Sequence, residues 1–216
     1  MRFHNREHAA HLLAENLTAY RGQHPLVLGI PRGAVPMAKI IAEALGGDLD
    51  VVLVHKLGAP GNPELAIGSV DETGRMYLHE QVWDLGIDED YLEEEKQAQL
   101  KTLRKRRAQY TPVRLPLDPA GRIVIVVDNG IATGASMIAA LRAVRAKLPA
   151  KLIAAVAVAP AETVKRMQAE ADEVVCLYAP DHFYAVGQFF EDFSQVSDEQ
   201  AIAILRQSST KPASKT

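Results

Sequence analysis

Five short apolar runs, each about the length of a β-strand, most constrain the fold of this 216-residue chain. Most of them are followed by a helical pattern, and strands that alternate with helices form a parallel sheet covered on both faces. The runs predict strands at residues 26–30, 51–55, 123–127, 152–158 and 174–178. The expected fold class is therefore α/β, with three layers, a central, mostly parallel, five-stranded sheet and helices on both of its faces.

The regions between these runs carry helical patterns. They predict helices at residues 34–45, 88–110, 135–148 and 161–171. The long polar helix has glutamates early and bases late, which suits the helix dipole; a patch that contacts phosphate or RNA is the alternative for Lys101, Arg104, Lys105, Arg106 and Arg107. A last short helix is expected after Ser197, which forms a capping box with Gln200.

Two segments depart from this alternation of strands and helices. Residues 57–78 are rich in glycine and proline and predict a flexible loop and a small hairpin, with its turn at Glu72-Thr73-Gly74. Residues 179–207 predict a hood and a closing helix. We expect residues 1–207 to form one domain and residues 208–216, which include no large apolar side chain, to form a disordered tail.

Composition limits the partners and the location of the protein. The chain is 48% hydrophobic with a net charge of -3, so any basic site must be local. No apolar run approaches the ~18 residues of a membrane span, and the N-terminus lacks the apolar region of a signal peptide. Because the single cysteine, Cys176, lies in an apolar run, we expect a buried, inert thiol and a cytoplasmic protein.

The stretch VIVVDNGIATGAS, residues 124–136, carries the clearest chemistry. Asp128 stands at the carboxyl end of a buried strand, at the edge of a parallel sheet where ligands collect. The small residues after it permit a tight turn whose backbone N–H groups, at a helix N-terminus, form a nest for phosphate. The stretch lacks the lysine of a P-loop and the glycine spacing of a dinucleotide fingerprint. A carboxylate for hydroxyls beside a phosphate cradle indicates a sugar phosphate as ligand.

This stretch resembles the phosphoribosyl pyrophosphate (PRPP) signature of the type I phosphoribosyltransferases, which has four apolar residues, two acids, a small-residue loop and Thr-Gly-x-Thr/Ser. The resemblance implies that Asp128 and Asn129 bind the ribose and that the loop holds the 5'-phosphate through Gly130, Ala132, Thr133, Gly134, Ala135 and Ser136. It also implies Mg²⁺ as the cofactor, reached by Asp128 through the ribose hydroxyls. Asn129 departs from the family's second acid, and as a neutral partner it weakens the site without removing it.

A second loop, LGIPRGAVP at residues 28–36, also ends a strand and opens a helix. A guanidinium in this turn can grip a diphosphate bidentately while a glycine lets the backbone approach. The loop resembles the family's pyrophosphate loop, which implies pyrophosphate binding by Arg32, Gly33 and Ala34. Lys56, predicted at the end of the second strand, either neutralises the leaving pyrophosphate or faces water. The flexible loop after it would close over the reaction and exclude water.

The hood segment holds four of the five phenylalanines of the chain, namely Phe183, Phe189, Phe190 and Phe193. Either these rings pack the hood onto the core, or they form a stacking wall for a planar acceptor. The second interpretation selects Phe183, Tyr184 and Asp181 as acceptor-binding residues. The resemblance spans residues 3–205, and KLGAPGNPELAIG with FYAVGQFFEDFSQVSDE is similar to a bacterial subgroup whose acceptor is unassigned.

The resemblance implies transfer of a phosphoribosyl group from PRPP to a nitrogenous base with release of pyrophosphate, by Asp128, Arg32 and Lys56. Its partners would be PRPP and a small nitrogen acceptor of nucleotide metabolism, with no membrane or nucleic acid; a homodimer stays open. The alternative is a PRPP sensor without turnover, linked to RNA through the basic end of the long helix, and a sugar-phosphate hydrolase comes third. His8 and His11 lie one turn apart but lack a third ligand for zinc.

Overall fold

A five-stranded sheet forms the centre of the molecule in the computed structural model, which describes residues 1–78, 82–83, 85–110 and 116–209. Its strands are β1 (Leu26–Gly29), β2 (Asp48–Val51), β6 (Ile123–Asp128), β7 (Lys151–Val158) and β8 (Glu173–Tyr178). They are all parallel and lie in the order β2-β1-β6-β7-β8. The predicted α/β class and five-stranded central sheet are therefore confirmed.

Helices cover both faces of this sheet. They are α1 (Arg6–Asn16), α2 (Val35–Leu45), α3 (Glu89–Tyr110), α4 (Ala135–Arg145), α5 (Ala161–Gln168) and α6 (Asp198–Ser209). Successive residues of β6 point to opposite faces, as the pleat of a strand requires. Ile125 and Val127 enter the core with α1, α2 and α6, while Val124 and Val126 enter a second core with α4 and α5. The three-layer architecture follows from this alternation.

The second strand begins and ends earlier than the predicted 51–55. Helix α2 ends at Gly46, whose φ of +68° is left-handed, and the N–H of Asp48 donates to the Pro25 carbonyl at 2.9 Å, so the chain enters β2 at once. The apolar pattern missed this strand because two of its four residues are acids. The buried carboxylate of Asp50 is satisfied there by the backbone N–H groups of Val51 and Leu117, each at 2.8 Å.

A separate antiparallel sheet follows directly, with β3 (Val54–Ala59), β4 (Asn62–Asp71) and β5 (Met76–Leu78) in that order. The predicted turn at residues 72–74 is confirmed, since Gly74 has a φ of +90° and its N–H donates to Asp71 at 3.0 Å. The prediction of a loop before this turn was wrong, because its glycines and prolines lie within the β3–β4 hairpin. Lys56 was also misplaced: it lies inside β3, opposite Ser69, and not at the end of a central strand.

Helix α3 and the capping box of α6 confirm two further predictions. The α3 bounds lie within one residue of the expected 88–110, with acids in its first turn. At α6, the N–H of Ser197 donates to Gln200 Oε1 at 2.8 Å and the N–H of Gln200 donates to Ser197 Oγ at 3.2 Å. Ser208 and Ser209, expected in the tail, belong to α6, and the rest of that tail, 210–216, lies outside the described residues.

An ion pair ties α3 to the antiparallel sheet. Arg107 donates from Nε and Nη2 to the two carboxylate oxygens of Glu72, at 2.5 and 2.8 Å, and its Nη1 lies 3.9 Å from Asp50 Oδ1. The three side chains are only 14%, 19% and 5% exposed, so the guanidinium compensates carboxylates that have lost most of their water. This charge cluster joins α3, the β4–β5 turn and β2.

Replacing Arg107 should therefore destabilise the fold. Arg107→Ala leaves Glu72 and Asp50 without their cation, and we expect a loss of about 3 kcal/mol in the free energy of unfolding, measured by urea denaturation. The matched control is Arg104→Ala on the exposed part of the same helix, for which we expect a change within about 0.5 kcal/mol. Equal losses in the two variants would contradict the role of this pair.

Candidate functional site

The loop between β6 and α4 presents, at the carboxyl edge of the central sheet, backbone N–H groups without acceptors in the described part of the protein. Gly134 precedes the helix with a φ of +78°, a conformation that other residues rarely adopt. Among the described residues, the N–H groups of 132–137 have no protein acceptor within hydrogen-bonding distance. Ala132, Thr133 and Ser136 are exposed at this helix N-terminus. Free N–H groups and the helix dipole together favour a phosphate here.

Helix α5 supports this loop from behind. The Oγ1 of the buried Thr163 donates to the Ala132 carbonyl at 2.8 Å, and Arg166 Nη2 donates to the Thr133 carbonyl. With the carbonyls held inward, the N–H groups of the loop are left to face outward. Sequence reasoning missed both residues, because they belong to a helix distant in the chain and no local motif marks them.

Asp128 lies at the end of β6 as a half-buried residue. Burial raises the pKa of Asp128 to about 7, although hydrogen bonds from the N–H groups of Asn129 and Gly130 and the positive charge of Arg6 act against this rise. The hydrogen bond from Asn129 N to Asp128 Oδ1 is 2.7 Å long. A carboxyl that is costly to ionise at a sheet edge is typical of a site that receives polar or cationic ligands.

The loop between β1 and α2 meets the first loop directly. Strands β1 and β6 are neighbours in the sheet, so the loops that follow them share one edge. A Cβ on Gly33 would lie only 2.8 Å from Asn129 Nδ2, so a side chain at this position would displace the Asn129 amide. The peptide bond between Pro31 and Arg32 is cis. The structure thus brings together the two loops that the sequence singled out, with Arg32 exposed at their edge.

A cavity of about 370 Å³ opens between the β1–α2 loop and the hood. Arg32 and Gly33 line it on one side, and Phe193 with Gln195 lines it on the hood side. Two further arginines, Arg6 at the start of α1 and Arg106 near the end of α3, complete its wall. Sequence reasoning missed Arg6, while Arg106 belongs to the basic helix end for which a phosphate-contacting patch was the alternative interpretation.

The hood residues selected for an acceptor do not line this cavity. Tyr184 is 87% exposed, Asp181 is exposed as well, and Phe183 packs on Phe189 with ring centroids 5.3 Å apart. Phe189 and Phe190 are buried in the core. The aromatic cluster therefore mainly fixes the hood, and Phe193 is the ring that reaches the cavity. Lys56 remains in the antiparallel sheet and does not belong to the cavity wall among the described residues.

Metal clusters and membrane spans are both missing from the part of the chain that the structure describes. No three of its histidine, cysteine, aspartate or glutamate side chains are grouped as metal ligands. His8 stacks on His4 at 4.9 Å and His11 lies 3.8 Å from Glu7, so both have local partners. No helix among those residues is long and apolar enough to cross a bilayer. Cys176 is half-buried, and burial raises the pKa of its thiol.

The fold and the two loops define an α/β protein with an anion-binding site at the carboxyl edge of its sheet. The family model for the phosphoribosyl transferase domain matches residues 3–194. The crystal structure of the protein TT1426 from Thermus thermophilus is similar, with a TM-score of 0.88 and 48% identity, covering 96% of this chain and 99% of that one. The chain therefore belongs to the phosphoribosyl transferase domain family.

Two proteins of Mycobacterium tuberculosis, from strains CDC 1551 / Oshkosh and ATCC 25618 / H37Rv, bear the name "Putative phosphoribosyl transferase". Each is 40% identical to this chain over 204 residues, which is 94% of the chain and 46% of the relative. The chain thus spans about half the length of the curated relatives it matches.

The raised pKa of Asp128 predicts a pH-dependent stability. The carboxyl titrates near 4 in the unfolded chain and near 7 in the folded one, so folding takes up a proton between these values and the free energy of unfolding falls as pH rises from about 4 to 7. Asp128→Asn removes the ionised form. We expect it to raise the free energy of unfolding at pH 8 by about 1 to 3 kcal/mol and to flatten this part of the pH profile.

The control for this experiment is Asp118→Asn, an exposed aspartate that accepts the N–H of Ala120 at 3.0 Å. Guanidinium denaturation of both variants at pH 4 and pH 8 separates the two sites. A loss of stability at pH 8 in Asp128→Asn would show that the ionised carboxylate is favourable in the fold, against the assigned direction.

Proposed function

We propose that this protein transfers a phosphoribosyl group from PRPP to a nitrogen acceptor and releases pyrophosphate. The observation that carries the proposal is the contact of two loops at one sheet edge. One of them offers backbone N–H groups beside a carboxylate, and the other offers Arg32 with an approachable Gly33 backbone. A ligand with a phosphate monoester, vicinal hydroxyls and a diphosphate fits both loops at once. Membership of the family supports this choice of ligand.

Each loop has a distinct role in the proposed mechanism. The N–H groups of residues 132–136 and the hydroxyls of Thr133 and Ser136 hold the 5'-phosphate, which fixes the sugar at the sheet edge. Displacement at the anomeric carbon builds positive charge on the ribose and negative charge on the leaving pyrophosphate. Asp128 stabilises the positive charge on the ribose, together with Asn129 at the ribose hydroxyls. Arg32 and the backbone of Gly33 and Ala34 stabilise the negative charge on the pyrophosphate.

Magnesium fits the donors that this chain supplies. Mg²⁺ is commonly held by one or two carboxylates together with substrate phosphates. Here Asp128 would reach the ion through the ribose hydroxyls of PRPP, and these hydroxyls and the diphosphate would supply ligands to it. When bound, the ion would neutralise charge on the pyrophosphate. Asn129 is a neutral neighbour, which leaves Asp128 as the only charged group of the pair.

The proposal also covers the acceptor, the residues that contact it, Lys56 and the location of the protein. The acceptor would be a purine or pyrimidine base or a related nitrogen compound of nucleotide metabolism, approached from the hood. Tyr184 and Asp181 would contact it only if the acceptor extended to the outer surface of the hood, and Phe183 would act through Phe189. Lys56 would reach the site only by movement of its sheet. We further propose a cytoplasmic location, in line with the family.

A PRPP sensor without turnover is the second candidate, and one observation favours it. Asn129 stands where the family has an acid, so one of the two ribose partners is neutral. Its side chain also lies against the Gly33 backbone of the other loop. A link to RNA through α3 is weakened by the burial of Arg107 in its pair with Glu72. The two candidates differ in whether bound PRPP is consumed.

Pyrophosphate release from PRPP and Mg²⁺ across a panel of nitrogen bases, with a no-base control, tests the proposed function. We expect release that depends on a base and expect Arg32→Ala to lower kcat/KM by at least about 30-fold, because a charge partner of the diphosphate is lost. The exposed Arg206→Ala on α6 is the matched control and should stay within about twofold.

The outcomes of this assay separate three functions. Base-dependent release supports the transferase, whereas release that is equal without any base indicates hydrolysis. Binding of PRPP without release from any base indicates the sensor. Survival of Arg32→Ala activity within a factor of a few would overturn the assignment of the pyrophosphate loop.

Restoring an acid beside Asp128 should tighten PRPP binding. Asn129→Asp exchanges a neutral hydrogen bond for a charged one, a gain of about 1 kcal/mol, so we expect the Kd of magnesium PRPP measured by calorimetry to fall roughly five- to tenfold. Asp118→Asn, which removes a carboxylate outside the site, is again the control. An unchanged or higher Kd would show that Asn129 acts through its contact with Gly33 and not through the ribose.

A further inference from the structure

Three arginines give the cavity between the β1–α2 loop and the hood its positive charge. Arg6, Arg32 and Arg106 line it, and no acid lines it among the described residues. Asp198, whose Oδ2 lies 3.8 Å from Arg32 Nη1, compensates part of this charge from nearby. If Mg²⁺ accompanies the pyrophosphate, part of the pyrophosphate charge is already neutralised. Three guanidinium groups around one cavity therefore leave capacity for a second anion.

Arg6 is the arginine placed for that second anion. It lies on the hood side of the cavity, whereas Arg32 lies in the loop assigned to the leaving group. Its charge also interacts with that of Asp128, which is assigned to the ribose. In a displacement at the anomeric carbon the acceptor and the leaving group occupy opposite faces of the ribose. Arg6 and Arg32 line the same cavity, Arg6 against the hood ring of Phe193 and Arg32 in the β1–α2 loop.

The guanidinium of Arg6 is held firmly in place. Its Cζ lies 4.0 Å from the centroid of the Phe193 ring, and its Nη1 donates to the Ser194 carbonyl at 2.7 Å. The chain before it is fixed to the hood, because the N–H of Phe3 donates to Phe189 at 2.8 Å. A guanidinium positioned in advance loses little entropy when it binds an anion.

One donor of the Arg6 guanidinium group has no hydrogen-bond partner inside the described part of the protein. Its Nε is buried and has no partner among the described residues, and burial lowers the pKa of the guanidinium while Asp192 and Asp128 raise it. Such a group is electrostatically costly in the empty cavity, and an anion nearby would relieve that cost. Neutral bases offer no such compensation. The cavity volume of about 370 Å³ exceeds the lower limit of about 300 Å³ for ligand pockets.

We infer that the acceptor is an acid: a nitrogen heterocycle or aromatic amine that carries a carboxylate, which Arg6 binds from the hood while Arg32 and Arg106 hold the pyrophosphate. This inference rests on the proposed function and narrows its substrate class. Arg6 selects the acceptor through its charge, and Phe193 positions Arg6. Arg106 becomes a second pyrophosphate residue, supplied by the end of α3.

The test uses pairs of acceptors that differ by their acid group: orotate with uracil, nicotinate with nicotinamide, and anthranilate with aniline. Pyrophosphate release from PRPP and Mg²⁺ is measured for each. We expect the acid of one pair to exceed its neutral partner by at least about 100-fold in kcat/KM. Arg6→Gln should raise the KM for that acid roughly 10- to 100-fold, with the Kd of magnesium PRPP changed by less than about threefold.

The matched control is Arg21→Gln, which removes the same charge from an exposed arginine that donates to the Ala44 carbonyl. It should leave the KM for the acid unchanged. Calorimetric binding of magnesium PRPP to each variant shows whether the first substrate site is intact. A structural effect of Arg6→Gln would lower PRPP affinity and stability as well, so the split between the KM and the Kd identifies a role in acceptor binding.

The outcomes distinguish this inference from the proposed function. Turnover with a neutral base that equals or exceeds its acid partner leaves the transferase standing and overturns the acidic acceptor. An unchanged KM for the acid in Arg6→Gln overturns it equally. PRPP binding with no release from any member of the pairs or from the wider base panel overturns the transferase itself, and the acidic acceptor with it.

Discussion

The contact of Gly33 with Asn129 is the constraint on which the rest of the site depends. Strands β1 and β6 pair in parallel from Leu26 with Val124 to Gly29 with Val127, so their loops leave the sheet side by side. A Cβ at residue 33 would displace the Asn129 side chain and so change how the two loops meet. In the proposed function one loop holds a phosphate and the other a diphosphate, so their spacing would set which ligand can bind both.

The buried charged groups of this region lower the stability of the fold. Asp128 is a carboxyl whose ionisation is opposed by burial, and Arg6 is a guanidinium whose burial is compensated only in part. Both groups face the same edge of the sheet. A ligand of opposite charge, or one with complementary hydrogen-bonding groups, would offset the cost of burying them. Such strain is expected in a binding site, because it converts part of the folding energy into affinity for the ligand.

The sequence predicted the parts of the molecule whose signals are local. The apolar runs gave four of the five central strands, and Ser197 with Gln200 marked the start of α6, because periodicity and caps act over a few residues. Strand β2 was missed because Asp48 and Asp50 interrupt its apolar pattern. The hydrogen bond that the Asp50 carboxylate accepts from the Leu117 N–H comes from a distant segment of the chain. Arg6 and Thr163 were missed for the same reason: only the folded chain brings them to the loops.

The central claim is that both loops bind one ligand, and a crystal structure of the protein with PRPP and Mg²⁺ tests it most directly. The account predicts the 5'-phosphate on the backbone N–H groups of residues 132–136, the ribose at Asp128 and the diphosphate at Arg32 and Gly33. Ligand density that occupied only one of the two loops, or neither of them, would contradict it.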